Sequence, residues 1–270
     1  MPWLFPLLVI QLMTTQDILK MPAPPADHRI AYGSDPQQFG ELRLPKGKGP
    51  FPVVVVIHGG CWQAQYDLGH IGNLSAGLTS AGAATWTLEY RRLGNPGGGW
   101  PGTLLDVARG AGHLKTLASD YPLDLTRVVA IGHSAGGHLA LWLAKRWDLR
   151  LAGVVSLAGV ADLRRAAAEH VCGDAASQLV GGVADRYELA SPIESLPLGV
   201  PTRLIHGVDD RIVPPAFSKD YEAAARKSGD DVRATMVEKA GHFELIAPGS
   251  SAWKTVETTV FDLLRLVERK

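Results

Sequence analysis

The sequence has no excess of charge of either sign, since 27 Lys and Arg residues balance 27 Asp and Glu residues in a chain of 270. This balance, without a basic stripe, argues against a nucleic acid or an anionic membrane as the partner. Internal repeats and low-complexity tracts are also absent, so a repeat architecture is not indicated. With 46% hydrophobic and 20% charged residues, the composition is that of a soluble globular protein.

Cysteine is scarce, and Cys61 and Cys172 are the only two in the chain. Two cysteines do not make a disulfide framework, and a chain of this length does not need one. CxxC and HExxH patterns are missing, and His133 and His138 are five residues apart rather than the four that align two ligands on a helix. We therefore expect no metal site and no cofactor.

The chain also lacks an apolar run long enough to span a membrane. The segment MPWLFPLLVIQLM has the length of a signal peptide, but no Lys or Arg precedes it and no clear cleavage site follows. We interpret residues 1–12 as an apolar extension, either upstream of a natural start at Met13 or peripheral to the fold. Residues 13–270 then form a single domain. A cytoplasmic location is expected, with export by a weak N-terminal signal left open.

Short β-type runs alternate with helical patterns along the chain, which predicts an α/β fold whose mostly parallel, twisted sheet is covered by helices on both faces. The run FPVVVVIHGG is continuously β-branched, as in a strand buried on both sides. An earlier run, FGELRLP, is predicted to be an edge strand, after a Pro-rich leader, MPAPPADHR. One helix is predicted over TLLDVARGAGHLKTLASDY. Residues 161–201 break the rhythm and are predicted to form a small helical lid.

The segment GHSAG, Gly132 to Gly136, lies between a predicted strand and a predicted helix. This is the pattern of a nucleophile elbow, where a sharp turn exposes the central serine and only small neighbours fit. The N-terminus of the following helix favours negative charge at the same place. Ser134 is therefore the candidate nucleophile.

A serine hydroxyl needs a base, and in this type of fold the partners follow in the order Ser, Asp or Glu, then His. His242 lies just after the last predicted strand, where a loop can bring its ring to the sheet edge. The acid is expected in the loop of HGVDDRIVP, where Asp209 and Asp210 compete. The spacing before Val213 and Pro214 favours Asp210.

The segment HGGCW, which begins at His58, ends the most apolar strand. Its glycines permit close backbone approach, so the N–H groups of Gly60 and Cys61, with that of Ala135, are predicted to form an oxyanion hole. Because this role is a backbone role, Cys61→Ala is expected to be tolerated. The predicted substrate-binding side chains are Trp62, Trp100 and His133, with ordinary packing as the alternative for the two tryptophans.

With HGGCW and GHSAGGH in place, the chain resembles the α/β-hydrolases, from about Phe39 to the C-terminus. The HGGxW form is similar to kynurenine formamidases (arylformamidases) and to small bacterial esterases of that branch. It departs from the hormone-sensitive-lipase-like esterases, which have a third glycine where this chain has Cys61. The segments HGVDDRIVP and GHFEL also resemble the dienelactone-hydrolase and prolyl-oligopeptidase-like branches. The resemblance implies Ser134 as nucleophile, Asp210 as acid and His242 as base.

These features predict a serine carboxylesterase that acts on small carboxylic esters through an acyl-enzyme. The alternative substrate is an aryl formamide such as N-formylkynurenine. A hypothesis of another class is a non-catalytic binding protein on a hydrolase fold. Fluorophosphonate labelling that Ser134→Ala abolishes discriminates the enzyme from the binding protein. The predicted partner is a small-molecule ester or amide.

Overall fold

The computed structural model describes residues 11–146 and 151–266, so the predicted N-terminal extension lies almost wholly outside the described residues. One eight-stranded sheet passes through the middle of this part of the chain. Its strands are β1 (His28–Ala31), β2 (Phe39–Arg43), β3 (Phe51–Ile57), β4 (Ala84–Leu88), β5 (Leu123–His133), β6 (Gly153–Leu157), β7 (Thr202–Gly207) and β8 (Val232–Val237).

The sheet has the order β1-β2-β4-β3-β5-β6-β7-β8. The pairs β1–β2 and β2–β4 are antiparallel, and every later pair is parallel. The prediction that β2 is an edge strand is wrong, because β1 pairs along it with His28 opposite Leu42. β1 arises from the end of the segment interpreted as a leader. Its short, polar sequence is largely exposed and gives little β-signal.

Ten α-helices lie in the described part of the chain. They are α1 (Thr15–Leu19), α2 (Gly72–Ser80), α3 (Gly102–Gly112), α4 (Leu114–Asp120), α5 (Ala135–Arg146), α6 (Leu163–Ala168), α7 (Ala175–Leu179), α8 (Asp185–Ala190), α9 (Ala216–Lys227) and α10 (Trp253–Leu266). Three short 3₁₀ helices accompany them at Leu68–Ile71, Pro192–Ser195 and Glu244–Ile246.

The helices cover both faces of the sheet, as predicted from the continuous apolar strands. In β3, Val53 and Val55 belong to one hydrophobic cluster, whereas Val54 and Val56 belong to the other. Side chains of α3, α4, α5 and α9 complete the first cluster. Those of α1, α2 and α10 complete the second. Burial on both faces explains why β3 has no polar alternation.

Two helical segments differ from the sequence expectations. The single helix predicted over residues 103–121 is divided at His113 into α3 and α4. Gly110 and Gly112 lower helix propensity there. Residues 161–201, which we call the cap segment, contain α6, α7, α8 and a 3₁₀ turn. Its action as a lid stays a prediction. Within the described ranges, no helix is both long and apolar enough to cross a membrane.

Candidate active site

Ser134 lies at the turn between β5, which ends at His133, and α5, which begins at Ala135. Its φ is 56°, in the left-handed region that non-glycine residues seldom adopt. Glycine is required on both sides. A Cβ on Gly132 would lie 2.0 Å from the carbonyl oxygen of Gly136, and a Cβ on Gly136 would lie 2.1 Å from that of Ile57. The turn therefore holds the serine at the carboxyl end of the parallel strands, beside the α5 N-terminus.

Asp210 and His242 form a buried hydrogen-bonded pair. Nδ1 of His242 lies 2.7 Å from Oδ2 of Asp210, so Nδ1 carries the proton and Nε2 is free to accept one. The other carboxylate oxygen, Oδ1, accepts the backbone N–H groups of Ile212 and Val213 at 2.8 and 2.9 Å. Asp209, the competing residue, is exposed. The structure thus places Asp210 rather than Asp209 against His242.

Burial opposes ionisation of Asp210, but hydrogen bonds from His206 and His242 outweigh it and hold the pKa of this carboxyl well below its usual value. His206 lies in β7, four residues before Asp210. Its Nε2 lies 2.9 Å from the Val213 carbonyl and 3.3 Å from Oδ2 of Asp210. Since both neighbours are acceptors, Nε2 is protonated and Nδ1 accepts from the Ser218 hydroxyl at 2.8 Å.

Ser134 and His242 line the same cavity, which has a volume of about 120 Å³. Most of its exposed surface is apolar. None of its described lining comes from the cap segment. The described lining residues are Thr15, Ile18, Leu19, Gly60, Cys61, Tyr66, His70, His133, Ser134, Ile212, His242 and Phe243.

The loop after β3 has an unusual backbone conformation at the residues predicted to form the oxyanion hole. Gly60, Cys61 and Trp62 have φ values of 103°, 53° and 56°. A Cβ on Gly60 would lie 2.4 Å from Cβ of Tyr66, so glycine is needed here for space as well as for conformation. Among the described residues, the N–H groups of Gly60, Cys61 and Ala135 have no hydrogen-bond acceptor. These donors are available to a bound oxygen.

His70 lines the cavity but was not predicted from the sequence. Its Nε2 accepts the backbone N–H of Gly59 at 3.3 Å, and its Nδ1 lies 3.3 Å from the Asp67 carbonyl. Burial, with the nearby charge of His58, lowers the pKa of His70 to about 3. The ring is therefore neutral and holds the loop after β3 through Gly59. No local motif marks such a residue.

Behind the same loop lies a second buried polar group, centred on Glu89. Nε2 of His58 lies 2.9 Å from Oε1 of Glu89, and Nη1 of Arg92 lies 2.6 Å from the same oxygen. Glu89 also accepts the N–H groups of Leu68 and Tyr90. Burial opposes its charge, but His58 and Arg92 outweigh burial and lower the pKa of Glu89. This ionic cluster fixes the base of the loop, and sequence reasoning missed it.

His133, predicted to bind substrate, does line the cavity, but its ring also supports the base. Its Nε2 donates to the carbonyl oxygen of His242 at 3.0 Å. Burial, reinforced by His242 and His70, holds the pKa of His133 well below its usual range. Nδ1 is buried and has no partner among the described residues. His133 therefore positions the His242 loop as a neutral ring.

The prediction that Trp62 lines the substrate pocket is wrong. Trp62 is fully buried in the first hydrophobic cluster, because the two left-handed residues Cys61 and Trp62 turn its side chain inward. Its Nε1 donates to Nδ1 of His138 at 3.2 Å, and Nε2 of His138 donates to the Ala190 carbonyl at 2.9 Å. Trp62 thus joins the loop after β3 to α5 and the cap segment.

Trp100, the other predicted pocket wall, is absent from the described lining of the cavity. Its ring is partly buried, and the guanidinium carbon of Arg186 in α8 lies 6.0 Å from the ring centroid. Trp100 therefore contacts the cap segment rather than the catalytic cavity. The glycine-rich sequence around it indicated a loop but not the direction of its side chain.

Cys61 and Cys172 form a disulfide across 111 residues of sequence. The sequence indicated no disulfide framework, and this single bond was not predicted. Cys61 follows the glycines of the loop after β3, whereas Cys172 lies between α6 and α7 in the cap segment. The bond ties the predicted oxyanion donors to the cap. Sequence separation this large gives no signal that two isolated cysteines meet.

The BD-FAE family model matches residues 41–224, which include the serine turn, the cap segment and Asp210. A probable isoprenylcysteine alpha-carbonyl methylesterase of Arabidopsis thaliana is 31% identical over 113 residues. That match covers 41% of this chain but only 23% of the plant protein. The match therefore covers only part of each protein.

Solved structures share the fold over nearly the whole chain. An inhibited esterase B from Lactobacillus rhamnosis superimposes with a TM-score of 0.82 at 21% identity, covering 94% of this chain and 92% of that one. A truncated carbohydrate esterase from gut microbiota gives a TM-score of 0.75 at 20% identity, with coverage of 89% and 99%. These likenesses confirm the predicted α/β-hydrolase fold.

Proposed function

Because the chain belongs to the BD-FAE family, a hydrolase-type family, we propose that it is a serine carboxylesterase that cleaves small carboxylic esters. One observation carries the proposal. His242, which lies 2.7 Å from Asp210, and the turn residue Ser134 line one small cavity. Gly60 and Cys61 line the same cavity, and their N–H groups have no acceptor in the described part of the chain. Names of the relatives, which include esterases, agree with this chemistry.

In the proposed reaction, Oγ of Ser134 attacks the ester carbonyl carbon while its proton passes to Nε2 of His242. The carbonyl electron pair moves to oxygen, which accepts hydrogen bonds from the N–H groups of the oxyanion hole. The C–O bond then breaks, and the alcohol leaves with the proton from His242. Water attacks the acyl-enzyme by the same steps and regenerates Ser134.

Electrostatics support each partner in its role. The lowered pKa of Asp210 keeps this group ionised near neutral pH, so it stabilises the imidazolium that His242 forms during the attack. The N-terminus of α5 adds favourable potential where the oxyanion develops. Removing one oxyanion donor typically raises the barrier by about 3 kcal/mol.

The test measures kcat/KM for p-nitrophenyl acetate and for N-formylkynurenine in parallel, with Ser134→Ala as the blank. We expect ester turnover to exceed formamide turnover, and Ser134→Ala to reduce it by about 10⁴-fold or more. Labelling by a fluorophosphonate probe should be lost in the same variant. Formamide turnover above ester turnover would assign the site to an arylformamidase instead. Full ester turnover by Ser134→Ala would exclude Ser134 as the nucleophile.

A further inference from the structure

The helix α1 separates the catalytic cavity from a much larger groove. Ile18 and Leu19, its last two residues, line the 120 Å³ cavity that contains Ser134. The same two residues line a groove of about 950 Å³ beside it. The groove has mostly polar exposed surface and includes the Pro-rich segment after α1. A single short helix therefore lies between a small, mostly apolar cavity and a large, mostly polar groove.

Side-chain and backbone contacts fasten the segment that carries α1. The backbone N–H of Met13 donates to Oε1 of Glu244 at 2.6 Å, and Oε2 of Glu244 accepts from Gly241 at 2.9 Å. Glu244 thus ties this segment to the loop that carries His242. At the other end, the Asn73 side-chain amide donates to the Met21 carbonyl.

Within α1, the two wall residues have different surroundings. Ile18 is 4% exposed and belongs to the second hydrophobic cluster, so it anchors the helix. Leu19 is 58% exposed, and its side chain forms the ridge between the cavity and the groove. Thr14 caps the helix through a reciprocal hydrogen-bond pair with Asp17. Leu19 is therefore held in place by anchored neighbours although its own side chain is more than half exposed.

The cavity that α1 borders is small for a binding site. Sites for drug-sized ligands generally enclose about 300–1,000 Å³, a range that the groove reaches and the cavity does not. A long or branched substituent on the ester has to pass the position of Leu19 to find room. The wall thus restricts the cavity to a short apolar group.

The geometry points to Leu19 as a specificity-determining residue: as the α1 wall, it limits the proposed esterase to esters with a short substituent at the catalytic cavity. This inference rests on the proposed function and adds the substrate class. Removal of the Leu19 side chain joins the cavity to the groove. Longer substituents then gain room, whereas the reacting groups at Ser134 and His242 keep their positions.

The experiment uses full-length protein and compares Leu19→Ala with Leu105→Ala. Leu105 is also an exposed leucine, at 52%, but lies on α3 and lines neither space. Both variants and the wild type are assayed with p-nitrophenyl esters from acetate to octanoate, and with alkyl acetates from ethyl to octyl. The first series varies the acyl chain and the second varies the alcohol. Comparing them therefore shows which of these two groups the cavity holds.

In each series we divide kcat/KM for the eight-carbon substrate by kcat/KM for the two-carbon substrate. For Leu19→Ala we expect this ratio to rise about ten-fold in one of the series, because each methylene that fits a hydrophobic pocket is worth about 10–200-fold. Leu105→Ala should keep the wild-type ratio, and Leu19→Trp should lower it. Equal ratios in Leu19→Ala and Leu105→Ala overturn the inference while esterase activity stands. Wild-type turnover no greater than that of Ser134→Ala overturns the proposed function itself.

Discussion

His206 and Asp210 are four residues apart, and Nε2 of His206 lies 3.3 Å from the carboxylate oxygen of Asp210 that also accepts from His242. Two histidines therefore converge on one oxygen. A hydrogen bond to a charged group contributes about 1.5–3 kcal/mol, so His206→Phe should lower kcat by about ten-fold with little change in KM. His113→Phe, at a half-buried histidine between α3 and α4, is the control. Equal kinetics in the two variants would show that His206 does not position the acid.

The two aspartates of the loop after β7 should differ sharply. Asp210→Asn removes the charge and the acceptor that fix the proton on Nδ1 of His242, so kcat should fall by about 10⁴-fold. Asp209→Asn changes an exposed side chain and should stay within about two-fold. Measuring kcat/KM of both variants with one p-nitrophenyl ester decides which aspartate is the acid. A larger loss in Asp209→Asn would contradict the assignment of the acid.

Asp210 should also make stability depend on pH. Its pKa is lower in the folded protein than the ordinary value of about 3.9, so the unfolded chain binds the proton more tightly. The ionised group therefore stabilises the fold above the ordinary pKa, and this contribution is lost as pH falls toward the folded value. The difference in Tm between wild type and Asp210→Asn should shrink from pH 6 to pH 3. A constant difference contradicts this prediction.

Because Cys61 is bonded to Cys172, the earlier expectation that Cys61→Ala is silent no longer follows. Loss of a disulfide typically costs about 2–4 kcal/mol, mainly through the unfolded chain. Cys172→Ser should therefore lower the free energy of unfolding by about this amount, measured by urea denaturation. A reductant should destabilise the wild type similarly and leave Cys172→Ser unaffected. If the reductant destabilised both proteins equally, its effect would not come from reduction of this disulfide, and the prediction would be wrong.

The turn around Ser134 should tolerate no side chain at Gly136. Its Cβ would lie 2.1 Å from the Ile57 carbonyl oxygen, which is backbone and cannot yield cheaply. Gly136→Ala should therefore abolish ester turnover and lower Tm. Gly112→Ala is the matched control, because its Cβ would meet nothing within 4 Å. There alanine should stabilise by about 0.5–1 kcal/mol through reduced chain entropy. Wild-type activity in Gly136→Ala would contradict the described turn.

The sequence predicted the residues that meet at the cavity wherever a local pattern marked them. The turn of Ser134, the strand before it, and the loops carrying Asp210 and His242 each have a signature within about ten residues. Trp62 shows where such patterns fail. Its neighbours indicated a loop, but the direction of its side chain depends on two consecutive left-handed φ values.

Residues that act through distant contacts had no signal at all. His70 reaches Gly59 across 11 residues, and the disulfide spans 111. The Pro-rich stretch before β1 was interpreted as a leader, and no role at the site was predicted for the segment before it, which carries α1. Its place beside the cavity depends on Glu244, which lies near the other end of the chain. Single-sequence patterns describe neighbours along the chain, whereas these contacts come from packing.

The bond between Met13 and Glu244 joins residues 231 positions apart. During synthesis, therefore, this hydrogen bond forms only after the loop that carries His242 has left the ribosome. Ser134 and the strand before it are complete well before that moment. A nascent chain therefore carries an incomplete site until the loop with His242 and Glu244 has been added.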